Sequence, residues 1–301
     1  MGYAHIENLY KNTLILQFKK CYEMEKTHGT SAHIKRNKDG TITFSSGGAS
    51  HNVFVSLFNE EELKAKFIEH FGGVSTVTIY GEAYGGKEQG MRLTYGDKLC
   101  FIVFDISVTN DDKELWLDVP VAADFAAKMG LEFTPYSEIE ATLENINAAR
   151  DKPSEVAVRR GCGNNVDKFG FNPPIREGTV LRPLIQVVDM YGNRIVSKHK
   201  RDEFSERAQT PKVEDAAKIK VLEEATAIAE EWVTPMRLEH VLDKMGNTRD
   251  LQKIPQLIVA MIEDVYREGK GEIVENKDVE KAIGKKAVHL FKTLVKTENL
   301  K

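Results

Sequence analysis

The sequence predicts an α+β fold in two parts, a strand-rich region over residues 1–208 and a small all-α region over residues 209–301. Up to about residue 205, short segments rich in β-branched and aromatic residues are punctuated by Gly, Asn and Asp. Helical patterns do not alternate regularly with them, so antiparallel sheets are expected rather than a doubly wound parallel one. From Val213 onward apolar residues recur at i, i+3 and i+4 instead. The chain has 301 residues, 41% hydrophobic and 29% charged, with 22 Gly and 9 Pro. At about 100–200 residues per domain it has room for two, and its composition excludes disorder, collagen and a disulfide scaffold.

In chain order, strands are expected at Thr13–Lys19, Ala32–Arg36, Thr41–Ser45, Val74–Tyr80, Leu99–Val108, Thr179–Leu184 and Arg194–Lys200. Lys38-Asp39-Gly40 reads as the turn of a hairpin. Helical periodicity appears at Asn59–Phe71, where Asn59 is a cap followed by an acidic first turn, Glu60–Glu62. It recurs near Val121–Met129 and Ser137–Arg150. A polar connector, Ser205–Pro211, leads to four helical stretches, Val213–Val233, Arg237–Met245, Pro255–Arg267 and Asp278–Val295. Gly246, Gly269 and Gly271 stand where such helices end.

Cys21, Cys100 and Cys162 are scattered, which suits a reducing compartment and argues against a disulfide framework or a Cys-based metal site. The most apolar stretch, Ile254–Ile262, has nine residues, half of a membrane span. The apolar run Leu14–Leu16 precedes Lys19 and Lys20, the wrong order for a signal peptide. A cytoplasmic protein without a membrane or an obligate protein partner is expected. The 42 Lys and Arg against 46 Asp and Glu give a net charge of −4, which by itself speaks against a polyanion partner. The charges are unevenly placed, however. Arg194–Arg201 holds four cations and no acid, and Lys281–Lys301 holds six Lys against Glu298 alone. Local cations decide phosphate binding.

The strongest chemical signal is Glu25-Lys26-Thr27-His28-Gly29-Thr30-Ser31. A lone Lys is usually a solvated surface charge. Here Gly29 permits a tight turn and a close ligand approach, and neighbouring cations or a metal could free the amine as a nucleophile. Downstream, Tyr80–Gly86 closes a strand with Glu82, and Phe101–Ile106 is a buried strand in which Phe104 adjoins Asp105. Arg176–Pro183 sets Glu177 just before a strand, and Ile195–Lys200 puts Lys198 and Lys200 on one strand face. Gly81-x4-Gly86-Lys87 imitates a P-loop, but Glu88 stands where Ser or Thr is needed. Neither His-Glu-x-x-His nor Gly-x-Ser-x-Gly occurs.

These five segments resemble, in order, motifs I, III, IIIa, IV and V of the covalent nucleotidyltransferase superfamily of ligases and RNA-capping enzymes. Lys26-x-His28-Gly29-Thr30 sharpens the resemblance to the RNA ligase 2 family, which includes bacteriophage nick-sealing ligases and kinetoplastid editing ligases. DNA ligases and capping enzymes typically carry Asp where His28 stands. The likeness extends through Phe204-Ser205-Glu206 into the C-terminal helices. It implies a nucleotidyltransferase domain with ATP-grasp-like antiparallel sheets, followed by a helical domain that engages RNA.

The implied activity is that of an RNA ligase (ATP), using ATP with Mg²⁺, for which Mn²⁺ can substitute. The resemblance assigns the nucleotide to Glu25, Lys26, His28, Glu82, Phe104, Glu177, Lys198 and Lys200. Lys26 would take AMP from ATP as a phosphoramidate. Glu82 would bind the ribose, and Phe104 would stack on adenine, unless it is an ordinary core Phe. Glu177 would act near the phosphates through the metal, Lys198 and Lys200 would neutralise the α-phosphate, and His28 would position the phosphates. Asp105 is a weaker candidate for the site. The implied partner is RNA with 5′-phosphate and 3′-OH ends at nicks in a duplex. Two departures stand out. Ser45 and Ser46 occupy a strand where the family carries a basic residue, and Ser31 stands where Asn is common. The alternatives are a DNA ligase, a capping-type guanylyltransferase, or a non-catalytic RNA-end binder. The absence of a strand pattern after residue 211 argues against the first two, because those relatives usually append a β-barrel.

Overall fold

A computed structural model of the chain describes residues 2–73, 75–111, 113–208 and 224–298. It divides into two compact units, Met1–Arg201 and Asp202–Lys301.

Among its described residues the first unit carries ten strands: β1 (Glu7–Asn8), β2 (Lys20–Lys26), β3 (Thr30–Arg36), β4 (Ile42–Ser46), β5 (Thr76–Tyr84), β6 (Cys100–Asn110), β7 (Lys113–Trp116), β8 (Tyr136–Glu140), β9 (Gly178–Pro183) and β10 (Ser197–Lys200). They form two five-stranded sheets, ordered β1-β10-β9-β2-β8 and β4-β3-β5-β6-β7. Every pairing is antiparallel except β1 with β10. The unit's helices are α1 (His51–Val55), α2 (Glu60–Phe71), α3 (Arg92–Tyr95), α4 (Val119–Lys128), α5 (Leu143–Arg150) and α6 (Glu155–Arg159). The α+β class read from the sequence is the observed one.

One core fixes the second sheet. Ala32, Ile34, Val77, Ile79, Phe101 and Val103 alternate onto one face and bury against Leu63 and Phe67 of α2 and Ala122 and Ala126 of α4. The opposite face is therefore left for Ser31, His33 and Lys35 of β3 and for Tyr80 and Glu82 of β5, by register. In the first sheet, Met24 pairs with Val180 and Lys26 with Gly178, while Lys198 pairs with Val180 and Lys200 with Gly178. Those six residues thus share a face. Arg182, on the same face of β9, donates to Asp105 Oδ1 of β6 at 3.0 Å, so this face looks onto the second sheet. Asp105 is fully buried and also accepts from Arg194 (2.8 Å) and Tyr3 (2.6 Å). It ties the two sheets together, and one of the four cations of Arg194–Arg201 is consumed inside the fold.

Asn59 caps α2 as expected, accepting from the Glu62 amide at 3.2 Å. Two expected elements differ. Thr13–Lys19 is not a strand: Leu14–Gln17 makes a 3₁₀ turn that buries Ile15, and the strand begins at Lys20. A short apolar run does not distinguish the two states. Ser137–Arg150 is not one helix. Tyr136–Glu140 alternates and pairs with β2, and Thr142 then caps α5 through the Asn145 amide.

The second unit contains α7 (Ala225–Trp232), α8 (Pro235–Lys244), α9 (Ile254–Glu268) and α10 (Lys277–Glu298). Their apolar stripes bury Trp232, Leu238, Leu257, Met261, Ile283 and Phe291 together. Of the stretch Val213–Val233, residues 213–223 lie outside the described residues. No described helix is long and apolar enough to cross a membrane.

Candidate active site

Three strands meet at Gly178, which pairs with Lys26 on one side and Lys200 on the other. Its φ is +155°, and a Cβ there would lie 2.2 Å from the His199 carbonyl oxygen, so only glycine lets the strands close. Gly29 is needed for a similar reason, since its Cβ would lie 2.3 Å from the Ala83 oxygen. The backbone then pins Glu177. Its amide donates to the Lys26 carbonyl at 3.1 Å, and its own carbonyl accepts from the Arg201 amide at 2.9 Å.

The Glu177 carboxylate is 2% exposed and gathers three basic groups. Lys26 Nζ lies 2.9 Å and His28 Nδ1 3.1 Å from Oε2, and Lys200 Nζ lies 3.0 Å from Oε1. Burial alone would raise the pKa of this carboxyl, but Lys200, Lys26 and His28 outweigh it and hold it well below the usual range. His28 moves the other way. Burial depresses it against the pull of Glu177, and the ammonium groups of Lys168 and Lys200 add to the depression. A neutral imidazole facing an acceptor-only carboxylate carries its proton on Nδ1. The His28 amide donates to the buried Tyr95 hydroxyl at 3.3 Å.

Glu82 approaches from the second sheet, accepting from the Gly29 amide at 3.1 Å. Burial and the like charge of Glu177 outweigh Lys26, Lys200 and that amide, and push Glu82 up to about 8. This carboxyl therefore keeps its proton at neutral pH. Because the folded value is raised, the group favours the fold below its unfolded value. That contribution is lost progressively as pH climbs from about 4.5 through about 8. Glu82→Gln is accordingly expected to flatten the fall in melting temperature between pH 6 and pH 9, measured by circular dichroism. An unchanged slope would contradict the assignment.

Other expected residues fall around this centre. Lys198, 7% exposed, shares the strand face of Lys200, two residues away. Phe104 lies further along β6, at a bulge beside Tyr80 and Gly81, edge-on to Tyr3 with ring centroids 4.9 Å apart. Glu25 is not brought into the cluster. It alternates to the back of β2, where it accepts from Ser154 Oγ (2.5 Å) and from the amides of Glu155 (2.8 Å) and Val156 (3.3 Å). Ser45 pairs with His33 on β4, whose edge offers no cation. Lys35 shares the face of Glu82, while Arg36 turns away to the Ser75 and Gly73 carbonyls. Sequence reading missed Lys168 and Tyr95, which belong to no spaced motif, and gave no role to Arg176, which opens the segment that carries Glu177.

Among the described residues no group of three or more His, Cys, Asp or Glu is placed to hold a metal ion by itself. Glu177 is instead the single buried carboxylate that would suit Mg²⁺ bound mainly through substrate phosphates.

Residues 19–200 match the family described as RNA ligase. The chain belongs to the RNA ligase family. All five motif segments lie inside that span. Among solved structures, it is similar to a Naegleria gruberi RNA ligase mutant with ATP and Mn, at 17% identity and a TM-score of 0.49, covering 68% of this chain and 57% of that one. The Naegleria gruberi RNA ligase with PPi is similar at 18% identity and a TM-score of 0.48, again over 68% of this chain and 57% of that one. The chain thus matches little more than half the length of these ligases.

Proposed function

We propose that this RNA ligase family member is an ATP-dependent RNA ligase that forms lysyl-AMP at Lys26 and seals a 5′-phosphate to a 3′-OH at nicks in duplex RNA. The observation that carries the reading is the convergence of Lys26, His28 and Lys200 on one buried carboxylate, Glu177. In the resting site Lys26 is ion-paired with Glu177. Its nitrogen attacks, giving up its proton to solvent; the P–N bond to the α-phosphate forms as the P–O bond to pyrophosphate breaks. Lys200 and Lys198 face the charge that develops on the α-phosphate. Glu82, holding its proton, can donate a hydrogen bond to a ribose oxygen. His28 orients the phosphates through Nε2 while Nδ1 stays on Glu177. A divalent cation held by Glu177 would supply charge neutralisation of the departing pyrophosphate.

The RNA 5′-phosphate then attacks the lysyl-AMP phosphorus and returns the amine to Lys26. The 3′-OH displaces AMP from the activated end. Phe104 would stack on adenine, a contact worth about 1–3 kcal/mol. Residues 1–208 would be the adenylyltransferase and 209–301 the RNA-binding part, reading duplex shape and backbone rather than sequence. The test is a nicked duplex with a labelled 5′-phosphate, ATP and Mg²⁺. Sealed product is expected with an RNA 3′-OH strand. Sealing only DNA, or labelling by GTP in place of ATP, would overturn the reading in favour of its superfamily alternatives.

A further inference from the structure

We propose that the buried Glu25–Arg176 pair is a positioning device, which holds Lys26 against Glu177 from the opposite face of the sheet. The inference rests on the adenylylation reading for its effect on rate, but not for its geometry. Each member is the immediate neighbour of a reacting residue: Glu25 precedes Lys26 and Arg176 precedes Glu177. Glu25 and Lys26 alternate across β2. The contacts of Arg176 and Glu177 divide the same way, Arg176 toward Glu23 and Glu25 and Glu177 toward Lys26, so fixing one neighbour behind the sheet fixes the other in front.

The clamp behind the sheet is fully made. Arg176 is 1% exposed and donates to Glu23 Oε2 at 3.1 Å, Glu155 Oε1 at 3.2 Å and the Pro153 carbonyl at 3.2 Å. Its Nη2 lies 3.6 Å from Glu25 Oε2. Glu25 in turn holds the first turn of α6 through Ser154, Glu155 and Val156. Glu23, two residues back on the same face, is secured by Lys152 at 2.6 Å and Ser137 at 2.8 Å. Four carboxylate–cation contacts thus lie directly behind a cluster whose own distances are 2.9 to 3.1 Å.

Stability alone does not account for this arrangement. A buried ion pair roughly breaks even against well-packed apolar side chains of equal volume. Burial raises the Glu25 carboxyl despite Arg176 and the three hydrogen bonds, so the ionised group is not at ease there. The pair does, however, define one relative position for two adjacent chain segments, which close-packed apolar groups would define less sharply. A shift of about 1 Å at a reacting centre can cost about a hundredfold in rate.

The experiment compares the full chain with Glu25→Gln, Arg176→Met, the double variant and Arg176→Lys. One readout is independent of ATP: the rate at which Lys26 reacts with an amine-directed reagent at pH 8, followed by peptide mass spectrometry. Each single variant is expected to raise that rate severalfold, because Lys26 is no longer held against Glu177 and its amine becomes accessible to the reagent. The second readout is lysyl-AMP formation at saturating ATP. It is expected to fall at least about tenfold in each single variant, with the ATP KM within about twofold and melting curves still cooperative. The double variant should recover part of the loss, since Glu25 no longer carries a buried charge without Arg176 and Glu23 keeps Lys152, and Arg176→Lys should fall between. Unchanged Lys26 reactivity in folded variants, or losses that simply add in the double, would overturn the proposal. If Lys26 reactivity rises while the parent forms no lysyl-AMP, the adenylylation reading fails and the positioning inference survives.

Discussion

Glu177→Gln is expected to slow lysine adenylylation by about a hundredfold or more, at about 1.4 kcal/mol of barrier per tenfold. The substitution keeps the side chain's volume and one acceptor oxygen, so the strands can still close around Gly178. What it removes is the negative charge that gathers Lys26, His28 and Lys200. Two ammonium groups then share a pocket without their anion, and the nucleophile loses its fixed direction. Rates of lysyl-AMP formation at saturating ATP, beside a melting curve, check this. A parental rate in a folded variant would remove Glu177 from the chemistry.

The second large effect lies in the helical unit. Asp264 of α9 is 3% exposed and accepts from Arg237 of α8 at 2.5 Å and Lys244 at 3.1 Å, with Arg267 also against it. Arg237 is itself 2% exposed and lies over the Trp232 ring, donating to the Trp232 carbonyl. Burial alone would raise the Asp264 carboxyl, but Arg237 and Lys244 outweigh it and hold the group well below its ordinary value. Asp264→Ala leaves Arg237 buried with Glu206, 3.5 Å from Nη1, as its remaining carboxylate, and is expected to cost about 3 kcal/mol, the low end for breaking a buried pair. In the parent the depressed value means stability that is present above the unfolded carboxyl range. It is lost as pH falls below that range toward the folded value. The variant should lack this acid sensitivity and melt well below the parent at pH 7. Melting curves at pH 3 and pH 7 read both, and equal stability at pH 7 would contradict the buried pair.

Much of the site was legible because its chemistry sits in short, rigidly spaced segments. Lys26-x-His28-Gly29 needs a turn, Glu177 needs the glycine after it, and Lys198 and Lys200 need only the period of a strand. Period-two and 3.6-residue patterns likewise gave β3–β6 and α8–α10, whose apolar faces are one-sided. Long-range packing was not legible. Glu25 reads as part of the nucleotide motif, yet its direction depends on Ser154, Glu155 and Val156, which are some 130 residues away. Asp105 reads as a site candidate, and only the tertiary fold brings Arg182, Arg194 and Tyr3 to it. The strand β8 was lost to helical reading because Ser137-Glu138-Ile139-Glu140 alternates for too few residues to outweigh the helix that follows.

The central claim is that Lys26 is the residue that carries AMP. Incubation with ATP and Mg²⁺, acid denaturation avoided because a phosphoramidate is acid-labile, and peptide mass spectrometry would locate the adduct. AMP on the peptide containing Lys26, absent from Lys26→Ala and reversed by added pyrophosphate, is the predicted result. AMP on any other residue, or undiminished labelling of Lys26→Ala, would contradict the account.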